Sequence, residues 1–437
     1  MTRLLVTAAL MMVVLFPLRA FAAPAELPSL LFVTAAAAEA AYGGDLSEML
    51  RARLVAAGWR IEGYETPGRR GTVGRFFHMV RTGPDGAETH LLSFPGTERG
   101  SDVWTDLRLG RAVFGGATPA EFLAAANAPV SDRKETPLVH RGFLDYTQAA
   151  LFTDALDDYE GRTAGEVIAA QLRAHPSAKI YLTGHSLGGA GAVLAAARLA
   201  DMGVSPAQLE VVTFGAPAVG NAVFTRAYRE KFTLHRVVMK GDPMKDLLSA
   251  PLGFRQFGER IAWQPARSVA AFPHAMIAYV DAAIRQLYDS AGTNSFLFLA
   301  GQPNRTSGQP VYVAPIAADV DGALTADAPY MKAVLRDALY ARNAETVFSA
   351  AGGGLSEEGL LTGLDAHLAA AKEAGAAQLY AYRISGAKVR DNRETYRLTL
   401  ERAVYDTEGN LMAASSRSAT TGALTPIETV LYLFTQD

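Results

Sequence analysis

The stretch YLTGHSLGGA occupies residues 181–190 and decides how the rest of this 437-residue chain is interpreted. It joins an apolar run, a Gly-x-Ser-x-Gly motif and the start of a small-residue helix that extends to about Asp201. In a strand–turn–helix unit of this kind the serine hydroxyl is exposed at the end of a sheet, close to the backbone N–H groups that begin the helix. Ser186 is therefore the candidate nucleophile, and the N–H of Leu187 is a candidate donor to an oxyanion.

The motif alone is weak, because the chain contains 40 glycines and a bare Gly-x-Ser-x-Gly can arise by chance. Its context is stronger. Residues 178–183 predict a buried strand, and the glycines at 184, 188, 189 and 191 leave room for a tight turn and for close packing of helix on sheet. An amphipathic helix over residues 163–174 feeds this strand, so the order of elements predicts a parallel sheet of the α/β class.

A serine hydroxyl acts as a nucleophile only when a base takes its proton. The base is usually an imidazole that a carboxylate holds in place. Asp242 follows a predicted strand over residues 235–239, where an α/β sheet collects catalytic groups. His274 lies at a predicted loop-to-helix junction. The chain order Ser186, Asp242, His274 is the order expected of a nucleophile elbow. Taken alone, Asp242 also fits a turn before Pro243, and Asp246 is its nearest competitor.

Other histidines are assigned structural positions. His140 precedes the serine, whereas the base of an elbow comes last in the chain, so we expect a structural, hydrogen-bonded histidine. His235 lies in an apolar run and is expected in the core. His185 is the variable residue of the elbow and is expected to point away from the serine.

Thr97 ends a predicted strand over residues 89–94 and begins a polar loop. Its backbone N–H could serve a site at the edge of the sheet, although on these residues alone an ordinary glycine turn explains the sequence better. The loop that follows contains apolar residues, among them Trp104 and Phe114. Two interpretations stay open for them: a movable lid facing a lipid surface, or simply core.

Composition limits the class of function. The chain is 49% hydrophobic and 19% charged with a formal net charge of −3, which favours no nucleic-acid partner. It has no cysteine, which excludes a disulfide and a thiolate metal site. The predicted chemistry needs neither a metal nor a cofactor.

The beginning of the chain predicts export. Arg3, an apolar run over residues 4–18 and the Ala-Phe-Ala sequence at 20–22 are typical of a signal peptide spanning residues 1–22. The alternative is a membrane anchor, but the run is short and contains Pro17. We therefore expect a periplasmic or secreted protein.

With these motifs in place, the sequence resembles the class 3, fungal-type lipase family of the α/β hydrolases. The resembling blocks follow the family order over about residues 28–290: Pro95–Thr97 with Asp102–Leu107, Val139–Phe143, Gly184–Gly189, Thr213–Pro217 with Gly220 and Asn221, Arg236–Val238 with Asp242 and Pro243, Gly253 and Phe254 with Gly258 and Trp263, and His274–Tyr279. The resemblance implies a triad of Ser186, Asp242 and His274, an oxyanion hole formed by Thr97 and Leu187, and a lid after Thr97.

The resemblance has departures. The family usually has arginine where this chain has Pro95, its tryptophan in the next segment is shifted by one to Trp104, and an expected second proline is replaced by Lys245. These differences concern the lid and the substrate channel rather than the triad.

The last third predicts a second, smaller α/β domain over residues 309–437, after a linker at 291–308 rich in turn-forming residues. It weakly resembles the α/β domains of TolB-type and curli-secretion-type envelope proteins, which implies contact with an envelope protein. No catalytic constellation is evident in it, and a passive accessory domain is the alternative. Its final apolar run, residues 430–434, predicts a strand.

The expected architecture is thus an α/β hydrolase over residues 23–290, a mostly parallel sheet with helices on both faces, which begins with a helical region over 27–66. The expected function is an exported serine hydrolase acting on lipid carboxylic esters through an acyl-enzyme. Two alternatives remain: a phospholipase A or short-chain esterase with the same triad, and a catalytically silent envelope-binding protein.

Overall fold

The computed structural model describes most of the chain. The described residues are 26–67, 72–83, 85–96, 110–130, 134–153, 161–244, 253–269, 271–293, 309–343, 345–350, 352–389 and 394–436. The predicted signal peptide lies outside them, as do residues 97–109 of the loop predicted to be a lid, most of the predicted linker, and Asp246.

A seven-stranded sheet organises the described residues up to 293. The strands in this part are β1 (Arg60–Pro67), β2 (Val73–Thr82), β3 (Glu88–Phe94), β4 (Arg111–Val113), β5 (Leu138–His140), β6 (Lys179–His185), β7 (Leu209–Phe214), β8 (Thr233–Met239) and β9 (Glu259–Trp263). The order across the sheet is β1-β2-β3-β6-β7-β8-β9, while β4 and β5 form a separate antiparallel pair. Strands β3 to β9 of the sheet pair in parallel, and β1, β2 and β3 pair antiparallel.

Helices cover both faces of this sheet. They are α1 (Glu26–Ala40), α2 (Asp45–Ala56), α3 (Pro119–Asn127), α4 (Arg141–Leu151), α5 (Ala164–Ala174), α6 (Leu187–Asp201), α7 (Ala222–Tyr228) and α8 (Met276–Ala291). Helices α1, α2 and α8 share a hydrophobic cluster with one face, and α4 to α7 share another with the opposite face.

The two clusters are separate because successive side chains of each strand point to opposite faces of the sheet. Leu91 and Val212 lie in the cluster with α1 and α8, whereas their neighbours Leu92 and Val211 lie in the cluster with α6. Successive side chains of a strand point to opposite faces, so a strand buried on both faces is apolar at every position. This explains the continuous apolar runs of the sequence and confirms the predicted fold, a mostly parallel sheet with helices on both faces.

The C-terminal part forms a second, mixed sheet with its own helices, as predicted. Its elements are β10 (Val311–Val313), β11 (Ala317–Val320), a 3-10 helix (Gly322–Ala326), α9 (Ala328–Arg342), β12 (Thr346–Phe348), α10 (Leu364–Glu373), β13 (Gln378–Lys388), β14 (Tyr396–Tyr405), β15 (Leu411–Thr420) and α11 (Pro426–Thr435). The strand order is β12-β10-β13-β14-β15, and β11 also pairs with β13.

Two local predictions were wrong. Residues 60–66 belong to β1, not to a helix, because they pair with β2 along their whole length, and Gly58, at φ +87°, ends the preceding helical region. Residues 430–434 belong to α11, not to a strand. Thr425 and Glu428 form a capping box there and Pro426 occupies the first turn, which are signals that start a helix.

Helix α11 carries a fully buried carboxyl group. Burial raises the pKa of Glu428 well above its usual value, and the nearby charge of Asp281 raises it further. The carboxyl accepts a hydrogen bond of 3.0 Å from the backbone N–H of Thr425. A neutral Glu428 is therefore the form that this apolar environment favours.

The two predicted domains share one hydrophobic cluster. It runs from α1 and α8 through Met331 and Leu335 of α9 to Ile427 and Phe434 of α11. Residues from both sheets thus pack together in the described structure. The boundary of the second domain at residue 309 stays a prediction.

Within the described residues, no helix has the length and apolar character that crossing a membrane requires.

We expect Glu39 to make the stability of the protein pH-dependent. Burial raises the pKa of this carboxyl to about 7, although a hydrogen bond from the Ser47 hydroxyl at 3.1 Å works against burial. Between pH 4.5 and 7 the folded state then holds a proton that the unfolded state has lost, so stability falls as pH rises. The shift of the pKa corresponds to at most about 3 kcal/mol.

Glu39→Gln should remove this loss, because the amide mimics the protonated acid. Urea unfolding at pH 5 and pH 8 measures the effect, and the variant should gain on the wild type only at the higher pH. Glu48→Gln, on the exposed side of α2, is the control for removing a surface charge. If the free energies of unfolding of Glu39→Gln and wild type differ equally at both pH values, the raised pKa of Glu39 is contradicted.

Candidate active site

Ser186 occupies a strained turn between β6 and α6. Its φ of 56° and ψ of −121° make it the only non-glycine residue with positive φ in the described part of the chain. The turn is compact because glycines flank it: a Cβ on Gly184 would overlap the backbone of Gly188, and one on Gly188 would overlap the carbonyl oxygen of Phe94. Strain of about 1–3 kcal/mol at such a residue persists only where the surrounding packing imposes it.

His274 bridges the serine and the aspartate. Its Nε2 lies 3.0 Å from Ser186 Oγ, and its Nδ1 lies 2.9 Å from Asp242 Oδ2. Because the carboxylate oxygen can only accept, Nδ1 carries the hydrogen of the neutral ring and Nε2 is free to accept from the serine. The structure thus brings together the three side chains that the sequence singled out, from the ends of β6, β8 and the loop before α8.

The Asp242 carboxylate is buried and accepts three hydrogen bonds. Besides His274 Nδ1, the Tyr279 hydroxyl donates to Oδ2 at 2.6 Å and the backbone N–H of Met244 donates to Oδ1 at 2.8 Å. Burial alone raises the pKa of Asp242, but the hydrogen bond and charge of His274, with the two other donors, outweigh burial and hold this pKa below its usual value. The carboxylate is therefore ionised at neutral pH.

Tyr279 belongs to the first turn of α8 and is fully buried. Its hydroxyl accepts a 3.0 Å hydrogen bond from the backbone N–H of Met239, the last residue of β8, while donating to Asp242. Burial, together with the Asp242 charge, raises the pKa of Tyr279 far above its usual value, so the phenol keeps its proton. The helix that follows His274 thus also holds the aspartate.

Gly215 makes room for this arrangement. It has φ +57°, and a Cβ at this position would lie 2.5 Å from Asp242 Oδ2 and 3.0 Å from both His274 Nδ1 and the Tyr279 hydroxyl. Any side chain at position 215 would therefore disturb the hydrogen bonds that His274 and Tyr279 donate to Asp242.

His185 points away from the serine, but it contributes two hydrogen bonds to the surroundings of the site. Its Nε2 lies 2.6 Å from the backbone oxygen of His274, and its Nδ1 lies 2.8 Å from the Tyr42 hydroxyl. Since a backbone oxygen only accepts, Nε2 carries the hydrogen and Tyr42 donates to Nδ1. Burial, and then the proximity of His274, lowers the pKa of His185 to about 3. A neutral His185 therefore fixes the backbone of His274 without placing a second positive charge beside it.

Of the two predicted oxyanion donors, Leu187 is the first residue of α6, and Thr97 lies outside the described residues. The first N–H groups of a helix have no acceptor within the helix, so the N–H of Leu187 is available beside the serine. Gly96, immediately before Thr97, packs so closely on Tyr42 that a Cβ would overlap the tyrosine hydroxyl. The end of β3 is held further by Tyr146, whose hydroxyl donates to the Pro95 oxygen at 3.0 Å.

The other histidines lie apart from this site. His140 is fully buried at the end of β5, where it caps α4 by accepting a long 3.4 Å hydrogen bond from the Phe143 N–H, and burial lowers its pKa to about 4. His235 is only half-buried, and its Nε2 and Nδ1 atoms contact the carboxylates of Glu210 and Glu259 at 3.2 and 2.9 Å. The expectation of a core position for His235 was therefore wrong.

Phe114 belongs to the core. It is 2% exposed and packs edge-on against the rings of Phe224 and Tyr228, with the guanidinium of Arg198 3.8 Å above its ring. Trp104 lies outside the described residues.

Sequence reasoning missed four contributors to the site: Tyr42, His185, Gly215 and Tyr279. Gly215 and Tyr279 fell inside blocks used for the family resemblance, but no role was assigned to them. Tyr42 gave no signal at all, since it approaches the site from the loop between α1 and α2, far away in the sequence.

Part of the chain is similar to known proteins. Residues 91–250 match the sequence profile of the family described as lipase (class 3). The lipase of Rhizopus niveus is 37% identical over 121 residues, which is 26% of this chain and 28% of the relative. The secreted mono- and diacylglycerol lipase 1 of Fusarium solani is 34% identical over 118 residues, 27% of this chain and 32% of the relative.

The match spans less than a third of either relative's length. Among solved structures, the crystal structure of a lipase from Rhizopus microsporus var. chinensis aligns with 55% of this chain and 76% of its own, with a TM-score of 0.40 and 24% identity. The sequence profile covers the end of β3, the serine turn and the aspartate in a single stretch. Over residues 91–250 the chain is therefore similar to the class 3 lipase family.

Proposed function

We propose that this protein is an exported serine hydrolase that cleaves carboxylic esters of lipids. One observation carries the proposal: the His274 imidazole lies within hydrogen-bond distance of both Ser186 Oγ and Asp242 Oδ2, at a strained turn that begins a helix. This geometry meets the requirements for activating a serine, namely a base within reach of the hydroxyl and an acid that orients the base.

In the acylation step Ser186 Oγ attacks the ester carbonyl carbon and its proton passes to His274 Nε2. The negative charge that develops on the carbonyl oxygen is stabilised by the N–H of Leu187 and, by the family resemblance, of Thr97; each such donor contributes about 3 kcal/mol. The tetrahedral intermediate collapses, the bond to the alcohol oxygen breaks, and His274 returns the proton to the leaving alcohol.

Deacylation repeats these steps with water. His274 takes a proton from the water that attacks the acyl-enzyme, and the carboxylic acid leaves as the proton returns to Ser186. Asp242, held ionised by its three donors, stabilises the imidazolium in both steps. The neutral state of His185 helps, because a second cation 4.5 Å away between ring centres would oppose protonation of His274.

The substrate class rests on the family. The two relatives described above are named lipases, and the one from Fusarium solani is named as secreted and as a mono- and diacylglycerol lipase. We extend a lipid ester substrate to this chain, and the predicted signal peptide supports export. A phospholipase A or short-chain esterase would use the same three side chains, so the acyl length and head group accepted must be measured.

We expect a fluorophosphonate probe to label the wild-type protein but not Ser186→Ala. Labelling forms a bond between Ser186 Oγ and phosphorus, releases fluoride and transfers the serine proton to His274, so it reports on the activated serine itself. Ser290→Ala, an exposed serine at the end of α8, is the matched control and should label as wild type. Hydrolysis of the preferred ester should fall at least about a thousandfold in Ser186→Ala.

The substrate panel should contain soluble p-nitrophenyl esters of increasing acyl length, emulsified triacylglycerol and phosphatidylcholine vesicles. Highest turnover on long-chain glycerides supports a lipase, and highest turnover on vesicles or on short soluble esters supports one of the two alternatives. Failure of the wild-type protein to label, while it is folded, would support the silent envelope-binding protein and overturn the proposal.

Gly215→Ala should abolish activity by steric interference rather than by backbone strain. The new methyl group would lie 2.5 Å from Asp242 Oδ2, so the carboxylate must move away from His274. Gly253→Ala is the matched control: Gly253 has nearly the same φ, +63° against +57°, but among the described residues, its chain neighbours aside, no atom lies within 4 Å of the added methyl.

Both glycine variants carry the cost of a left-handed alanine, about 1–2 kcal/mol, and Gly215→Ala should melt lower than Gly253→Ala because its methyl group also displaces the buried Asp242 carboxylate. Only Gly215→Ala should lose kcat, by at least about a hundredfold. Equal kcat values in the two variants would show that Asp242 and His274 need not keep the observed geometry.

A further inference from the structure

Helix α8 is connected to two groups of the proposed active site. It begins with Met276, two residues after His274, and Tyr279 in its first turn donates to Asp242. A shift of the helix along its axis, or a rotation about it, would therefore move the base and the hydroxyl that holds the aspartate together. Whatever fixes α8 also fixes this part of the site.

Salt bridges hold the face of α8 that lies opposite Tyr279. Arg285 lies 2.6 Å from Asp281, one turn earlier on the same helix, and 2.8 Å from Asp327, the residue before α9. The carboxylates are 2% exposed and the guanidinium 13%. At 100° per residue, Asp281 is 200° from Tyr279 around the helix, so this contact lies on the side away from the site.

Two further contacts lie on the same stripe. The Thr425 hydroxyl, at the start of α11, donates to Asp281 Oδ1 at 2.9 Å. One turn beyond Arg285, Asp289 Oδ1 accepts a 2.7 Å hydrogen bond from the Tyr330 hydroxyl of α9. Residues 281, 285 and 289 are spaced by four, and all three bind the helices of the C-terminal part.

A buried ion pair is a costly way to stabilise a fold. Apolar residues of similar volume often give equal or greater stability, because the charges must first be removed from water. What an arginine between two carboxylates provides is a fixed geometry, since its planar guanidinium donates in set directions. The hydrophobic cluster around α8 already holds this helix against the C-terminal part. The contacts of residues 281, 285 and 289 also fix the position of α8 along its axis.

We propose that the C-terminal part is a positioning element of the active site, and that Arg285 is the positioning residue through which it holds α8, and hence His274 and Tyr279, in register. This inference rests on the proposed function. We call the set Asp281, Arg285, Asp327 and Thr425 the α8 clamp. It gives the C-terminal part a role within the enzyme that requires no external partner.

The test is the rate of fluorophosphonate labelling of the full chain, together with kcat and KM on a soluble ester. Arg285→Met should lower the labelling rate constant and kcat by 10- to 100-fold, with KM changed less than threefold, because binding is spared and alignment is not. Arg285→Lys keeps the charge but cannot bind both carboxylates in the same geometry, so it should restore the rate only in part. Asp327→Asn, a smaller change, serves if Arg285→Met does not fold.

The chain offers a matched control in Arg383. This arginine also binds two carboxylates, Asp319 and Glu401, each at 2.6 Å, and is 8% exposed. It lies within the C-terminal sheet, on β13, and its two partners belong to β11 and β14. Arg383→Met should therefore lower the melting temperature but leave labelling and kcat within twofold of wild type. All rates are measured well below the melting temperatures.

The proposal is supported if the α8 clamp variants are slow while Arg383→Met is not. It is overturned if the Arg285 and Asp327 variants react at the wild-type rate, or if Arg383→Met is slowed to the same extent, since the C-terminal part would then act only through overall stability. Failure of the folded wild-type protein to label is a distinct outcome: it overturns the proposed function, and with it any positioning of its active site.

Discussion

The left-handed turn at Ser186 is the constraint on which the rest of the structure depends. A non-glycine residue adopts φ 56° only when its neighbours leave no alternative, and here Gly184 and Gly188 let α6 approach the end of β3 to within backbone contact. The strand and helix on either side must be rigid to hold this turn. Both are buried among apolar side chains, β6 in the middle of the sheet and α6 beneath it. The packing around the turn therefore holds the buried Ser186 hydroxyl in place.

The sequence was most informative where local chemistry and tertiary structure agree. The serine turn, the strand ends and the helix after His274 follow from short-range patterns, namely apolar runs, glycines and helix starts. The positions of Asp242 and His274 could be inferred because parallel strands deliver their ends to one edge of the sheet. Their distances from Ser186 could not, since these depend on Tyr279 and His185, whose contacts cross 37 and 89 residues of sequence.

The errors have physical causes as well. The apolar run at residues 430–434 is too short to distinguish a buried strand from a buried helix by period, and the decision came from Thr425 and Pro426 just before it. Strand β15 escaped prediction because nearly all of its residues are exposed on both faces, which removes the alternation that marks a half-buried strand. His235 was misplaced because its carboxylate partners lie on neighbouring strands.

The hydrophobic cluster shared by the two sheets has a consequence for the heat denaturation of the molecule. Separating the C-terminal helices from α8 would expose Met331, Ile427 and Phe434 to water, along with Tyr288 on the other side of the contact. If either the N-terminal or the C-terminal part unfolds, apolar side chains of the other part therefore become exposed to water. Calorimetry should record a single cooperative endotherm for the protein, with calorimetric and van't Hoff enthalpies in agreement, in place of the two separate transitions expected of domains joined only by a linker.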